Sequence, residues 1–187
     1  NETISATDAT TIYQGNSQKR LDTSGSIEDW NEHIGSYCID NSILSFSVST
    51  AFASPILKFS GISESGGFNI RGESSTGKTT SLTIGGSVWG DKSLLKTWRA
   101  TSNGLEGIAC DHNDATLFLD EMGQSDPKEL GNSSYMLANG KGKSRANQSG
   151  ASRELKTWDL IFLSTGEYSL EQLSKDGGIE SKTGQEI

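Results

Sequence analysis

Residues 71–80 read RGESSTGKTT. A glycine, four residues and then Gly-Lys-Thr is the spacing of a loop that wraps around a phosphate chain. Gly72 and Gly77 allow tight backbone angles and close approach of phosphate oxygens. The amides of Ser75 to Thr79 would point at a β-phosphate from the start of a helix, where partial positive charge also gathers. Lys78 would reach the β- and γ-phosphates, and Thr79 would offer its hydroxyl to Mg²⁺. Glu73, Ser74, Thr76 and Thr80 complete the nucleotide-binding loop. The competing reading is an ordinary glycine-rich turn, but a strand-like FNIR ahead and a helical pattern behind favour the nucleotide loop.

Such a loop needs partners before it can hydrolyse anything quickly. ATLFLDE (115–121) lies about forty residues downstream. Its apolar run would deliver Asp120 to the Mg²⁺ shell, and Glu121 would polarise an attacking water. A core strand ending at a solvated acidic corner is the plainer alternative. A third polar point comes from LIFLSTGE, where Ser164 or Thr165 could set a hydroxyl between Lys78 and the water. Lys78, Glu121, Thr165 and Ser164 are thus the catalytic candidates, with Thr79 and Asp120 for the metal.

The elements that would hold these groups can be traced along the chain. A short strand is expected near Thr11–Tyr13. Ile27, Trp30, Ile34 and Tyr37 mark one face of an amphipathic helix capped by Ser26. NSILSFSVSTAFASPILKF predicts a buried helix bent near Pro55, and SGISESGG (60–67) reads as a linker. Strands follow at Phe68–Arg71, Leu94–Trp98, 115–121 and 159–165. Helices are expected at Lys78–Val88, Leu105–Ala109, Pro127–Ala138 and Leu170–Leu173. Alternation of this kind makes an α/β fold with a mainly parallel sheet flanked by helices.

Composition narrows the setting. A length of 187 residues suits one domain with a real core, and Asn1 points to an internal piece of a longer protein. No apolar run approaches the roughly 18–20 residues of a membrane span, so no membrane partner is expected. No signal sequence opens the chain, and Cys38 and Cys110 stand in unrelated surroundings, which suits a reducing cytoplasm. The net charge of −8 confines any nucleic-acid contact to a local patch.

FNIRGESSTGKTT, SVWG, TWRATSNGLEGIA, LFLDEMGQ, YMLANGKGKSRA and LSTGE together resemble the domain of unknown function 927 family of phage, plasmid and mobile-element proteins. The likeness runs from about Trp30 to the last residue. It implies a P-loop NTPase of the AAA+ type with an additional strand and a catalytic glutamate, similar to the minichromosome-maintenance helicases. On that resemblance Glu121 is the catalytic glutamate, and Ser164 and Thr165 stand on a sensor strand. That strand should lie between the phosphate-loop strand and the Asp120 strand. Residues 1–60 would be a helical segment packed on an ATPase core of residues 61–187, which stops before its C-terminal elements. ATP and Mg²⁺ are the implied cofactors, DNA the implied partner, and a ring such as a hexamer the implied assembly.

Residues 139–153 hold Lys141, Lys143, Arg145 and Arg153 with no acidic residue. Lys141, Lys143 and Arg145 alternate, so in a strand they share one face. Gly and Ser in QSGAS supply a turn, giving a hairpin with a basic face just before the sensor strand, where the resembled helicases grip DNA. A solvated loop is the alternative. Of the lesser candidates, His112 reads as a solvated loop residue rather than a metal ligand, and His33 as structural. Asn103 with Glu106 resembles a helix cap, and Trp98 and Arg99 are candidates for touching a neighbouring subunit. The leading function is an ATP-driven DNA motor. A nucleotide-dependent switch or loader and a small-molecule kinase are the alternatives.

Overall fold

A computed structural model of the chain describes residues 3–4, 11–12, 21, 23–61, 64–144 and 155–176. A small antiparallel pair, β1 (Thr3–Ile4) and β2 (Thr11–Ile12), comes first. Helix α1 (Ile27–Trp30) passes through a π turn at Asn31–Gly35 into α2 (Ser36–Cys38), and α3 (Ser42–Ile56) follows. Then come β3 (Gly66–Arg71), α4 (Lys78–Gly86), β4 (Leu95–Thr97) and α5 (Ser102–Asp111). The chain continues with β5 (Thr116–Asp120), α6 (Pro127–Asn139), β6 (Ile161–Gly166) and α7 (Leu170–Asp176). β3, β6, β5 and β4 form one sheet in that order, with every pairing parallel. The expected strand near Thr11–Tyr13 is β2, and Tyr13 lies outside the described residues.

The two central strands read as unbroken apolar runs because helices cover both their faces. Leu117, Leu119, Leu160 and Phe162 join Trp98, Leu105, Leu130 and Leu137 in the core against α5 and α6. Phe118 and Leu163 point the other way, to Ala51 and Leu82. That alternation will matter at the end of β6.

Three expectations about how the first 67 residues pack are corrected. Ser26 does cap α1, its Oγ accepting from the Asp29 N–H at 3.0 Å, but Ile27 and Tyr37 remain exposed. The π turn between them shifts the helical phase, so the four apolar residues no longer share a face. Helix α3 buries Ser47, Thr50, Ala51 and Ser54, while Ile43, Phe46, Phe52 and Ile56 stay exposed. Close approach selects the small residues: a Cβ added to Gly85 on α4 would stand 3.0 Å from the Ser47 carbonyl oxygen. The third concerns the linker, whose end belongs to the sheet. Gly67 lies in β3, and a Cβ there would stand 2.2 Å from the Phe162 ring.

Pro55 lies inside α3, which gives way to a 3₁₀ turn at Leu57–Phe59. Its missing N–H leaves the Ala51 carbonyl without a helical partner. The Trp89 indole N–H donates to that oxygen at 2.9 Å and the Thr116 hydroxyl at 3.3 Å. By length and composition Ser42–Phe59 is apolar enough to cross a membrane, contrary to the sequence expectation. In this fold its small-residue side is hydrogen-bonded to the sheet, with Ser54 Oγ accepting from Ile161 N–H at 2.9 Å.

Candidate functional site

Ligand sites in open parallel sheets gather where strands end and helices begin. β3 runs into the glycine-rich turn, and Gly77, at φ 87°, caps the first residue of α4. Ser75 is also left-handed at φ 62°, as in the backbone turns whose successive amides can face an anion. Gly72 is held by space: an added Cβ would stand 2.9 Å from Thr76 Oγ1. The Lys78 ammonium folds back onto the turn, donating to the carbonyls of Gly72 at 2.8 Å and Glu73 at 2.5 Å. Thr76 Oγ1 also donates to the Glu73 carbonyl, at 2.8 Å.

β5 ends at Asp120 beside this turn, and Thr79 Oγ1 donates to Asp120 Oδ1 at 3.3 Å. The same carboxylate oxygen accepts from the Thr165 hydroxyl at the end of β6. The Glu121 N–H approaches Asp120 Oδ1 at 3.1 Å and Thr165 Oγ1 at 3.2 Å. Glu121 itself is left-handed, at φ 58° and ψ 63°. For a non-glycine residue that conformation costs energy, and strain of this kind gathers at functional sites. It turns the side chain out of the strand line, where Gln124 Nε2 donates to Glu121 Oε2.

The result is a cleft of about 570 Å³. Ser74 through Thr80 form one wall, and Asp120, Glu121 and Thr165 another. Gly72 and Glu73 are not among the cleft-lining residues, and their carbonyls accept from Lys78. Ser164 goes elsewhere. Fully buried, it accepts the Trp98 indole N–H at 2.7 Å on the opposite side of the sheet. The open choice between Ser164 and Thr165 therefore falls to Thr165 as the hydroxyl in the cleft. Trp98 itself is wholly buried and has no surface to offer a neighbouring subunit, whereas Arg99 is exposed.

Gly123, Gln124, Gly166, Glu167 and Tyr168 also line the cleft and were not among the expected residues. They sit in LDEMGQ and LSTGEY, and the apolar-strand signal that found Asp120 and Thr165 stops at the strand ends. Two minor readings also change. Thr101, not an Asn103–Glu106 pair, caps α5, accepting from the Gly104 N–H at 3.2 Å. His112 is buried, its Nδ1 lying 2.7 Å from the Ile108 carbonyl oxygen. His33 is exposed, with Nδ1 3.0 Å from the Asp29 carbonyl oxygen.

The basic segment begins as two paired arms. Gly140 ends α6 in the left-handed region at φ 66°. Lys141 then pairs antiparallel with Thr157, while Gly142 N–H donates to the Lys156 carbonyl at 2.9 Å. Lys141 and Lys143 are exposed. Arg145 and Arg153 lie outside the described residues.

The fold that carries this cleft is similar to that of a solved helicase. The structure named "SCCmec type IV Cch - active helicase" superposes with a TM-score of 0.64 at 26% sequence identity, over 83% of this chain and 30% of that one. The present chain thus spans less than a third of that protein. No curated protein matches it. Residues 1–157 match the family model Domain of unknown function (DUF927), and the chain belongs to that family. The matched span opens ahead of Trp30, where the sequence resemblance begins, and closes before LSTGE.

Proposed function

We propose that this chain is the ATP-hydrolysing motor portion of a DNA helicase or translocase, a P-loop ATPase of the AAA+ type with a catalytic glutamate. The observation that carries the reading is the convergence of Lys78, Thr79, Asp120, Glu121 and Thr165 on one cleft. Similarity to a helicase supports it. The donor set fits ATP with Mg²⁺: a curled amide turn, a lysine, and a hydroxyl–carboxylate pair of hard oxygens. Gly72, where a side chain would crowd the turn, fits the same purpose.

Bound at Thr79 and Asp120, Mg²⁺ would neutralise charge on the transferring phosphate. Lys78 would exchange its carbonyl partners for β- and γ-phosphate oxygens. Glu121 would accept the proton of the attacking water once it leaves Gln124. Thr165, already bonded to Asp120, would hold the water and the phosphate in line. Among the described residues lining the cleft, Lys78 is the cationic one. A second charge from a neighbouring subunit would complete the site, which favours a ring such as a hexamer on single-stranded or forked DNA. A cytoplasmic setting belongs to the same proposal.

The test is strand displacement from a forked duplex by the full-length protein that carries this chain. Wild type should separate the strands only with ATP and Mg²⁺. Glu121→Gln should bind ATP yet turn over at least about 10²-fold more slowly, within the range of general-base losses. ATP turnover without displacement would leave a nucleotide-dependent switch or loader. A folded Lys78→Ala protein with unchanged ATP affinity and turnover would overturn the site itself.

A further inference from the structure

Glu106 lies on α5 with 1% of its surface exposed, and a buried carboxylate is costly unless hydrogen bonds hold it. Its Oε2 accepts the backbone N–H of Lys143 at 3.2 Å. Gly142, one residue earlier, is so close that an added Cβ would stand 2.7 Å from the Glu106 carboxyl carbon. Gly142 is not among the left-handed residues, so glycine serves there to make room and not to permit an unusual φ. The carboxylate therefore sits against the base of the paired arms, where Gly142 N–H meets the Lys156 carbonyl. Lys156 is close by as well: the Cys110 thiol on α5, pushed up by burial, senses the charges of Lys156, Glu106 and Asp111.

The start of α5 is tied down too. Trp98, just ahead of the Thr101 cap, bonds Ser164 in β6 at 2.7 Å, one residue from Thr165 of the cleft. Helix α5 is thus tied to β6 just ahead of its first turn and to the basic arms at its middle.

We propose that Glu106 is the positioning residue of the paired basic arms, its carboxylate fixing Gly142–Lys143 so that Lys141 and Lys143 are presented in one arrangement. This rests on the reading that the hairpin contacts DNA phosphates. A preorganised stem spares the ordering entropy that loose arms would lose on binding. Electrostatics alone argues the opposite sign. A carboxylate near a phosphate-binding surface repels DNA, so removing it should tighten binding.

That difference in sign is the test. A labelled single-stranded oligonucleotide of mixed sequence is titrated against the full-length protein, with ATP affinity measured in parallel. Glu106→Ala should weaken DNA binding about tenfold, the scale of a lost hydrogen bond to a charged group, while ATP affinity holds. Glu106→Gln keeps an acceptor oxygen for the Lys143 N–H and should recover most of the loss. Gly142→Ala pushes the carboxylate aside without changing any charge, and should also weaken binding. It decides the matter if Glu106→Ala fails to fold. Folded variants that bind DNA as tightly as wild type, or more tightly, would overturn the proposal when Lys143→Ala/Arg145→Ala still weakens binding. If that double variant binds like wild type, the DNA-contact reading fails and the Glu106 role falls with it.

Discussion

Two neighbouring hydroxyls at the end of β6 have opposite surroundings. Thr165 bonds Asp120 in the cleft, and Ser164 accepts the Trp98 indole behind the sheet. Thr165→Val should therefore lower ATP turnover by about 10²-fold with ATP binding retained, since the shape is kept and the hydroxyl lost. Ser164→Ala should do the reverse, leaving a buried indole N–H unpaired at a cost of about 1–3 kcal/mol in stability. Turnover per folded molecule should stay close to wild type. Urea unfolding beside steady-state ATPase assays separates the two, and a Ser164→Ala enzyme that is stable but inactive would reverse the assignment. The sequence made the pair legible because strand alternation sends neighbours to opposite faces. It could not say which face held the cleft, because that depends on Trp98, some 66 positions away.

At the scale of elements, the sheet strands and helices α4 to α6 were legible because both-sided burial leaves a strong local mark, and at α6 the capping residue does too. Asp126 before Pro127 starts α6, for example, its carboxylate accepting from the Lys128 N–H at 2.9 Å. The glycines misled. In SGISESGG, composition alone cannot separate a flexible turn from close packing, and Gly67 is the second kind. Gly67→Ala should destabilise the protein by about 1–3 kcal/mol, as overpacking does, because the Phe162 ring has to move. Adding Phe162→Leu should return part of that loss. Equal effects of Gly67→Ala with Phe or Leu at 162, compared by thermal melting, would show that the contact is not what holds glycine there.

For the whole molecule, the acid balance governs. With a net charge of −8, the proposed contact with DNA would be confined to a small region, and residues 139–153 hold four basic side chains without an acid. If all four meet phosphates of a single strand, log affinity should fall with log salt at a slope of roughly −3. Lys143→Ala/Arg145→Ala should cut the slope by about one to two units whatever the base sequence. Matching slopes for wild type and variant would reduce the patch to a solvated loop. The candidate cleft was largely readable because phosphate chemistry demands fixed residue types at fixed spacing. The exposed aromatic side of α3 was not, because a sequence lists apolar residues without saying which helix face meets a neighbour.

Strand order carries a consequence for how the protein is made. β3 and β5 are not paired with each other; β6, which follows both in the chain, stands between them. The lysine loop and Asp120 are therefore brought into register only when the chain has been synthesised past residue 166. Until then both strands present open edges, which invite pairing with other chains. A chain cut at residue 157, the end of the family match, would omit that keystone. Expressed alone, it should aggregate or remain unfolded and retain no ATP, whereas extension through α7 should restore a monodisperse protein. A soluble, ATP-binding 1–157 fragment would mean that the cleft can close around a missing central strand.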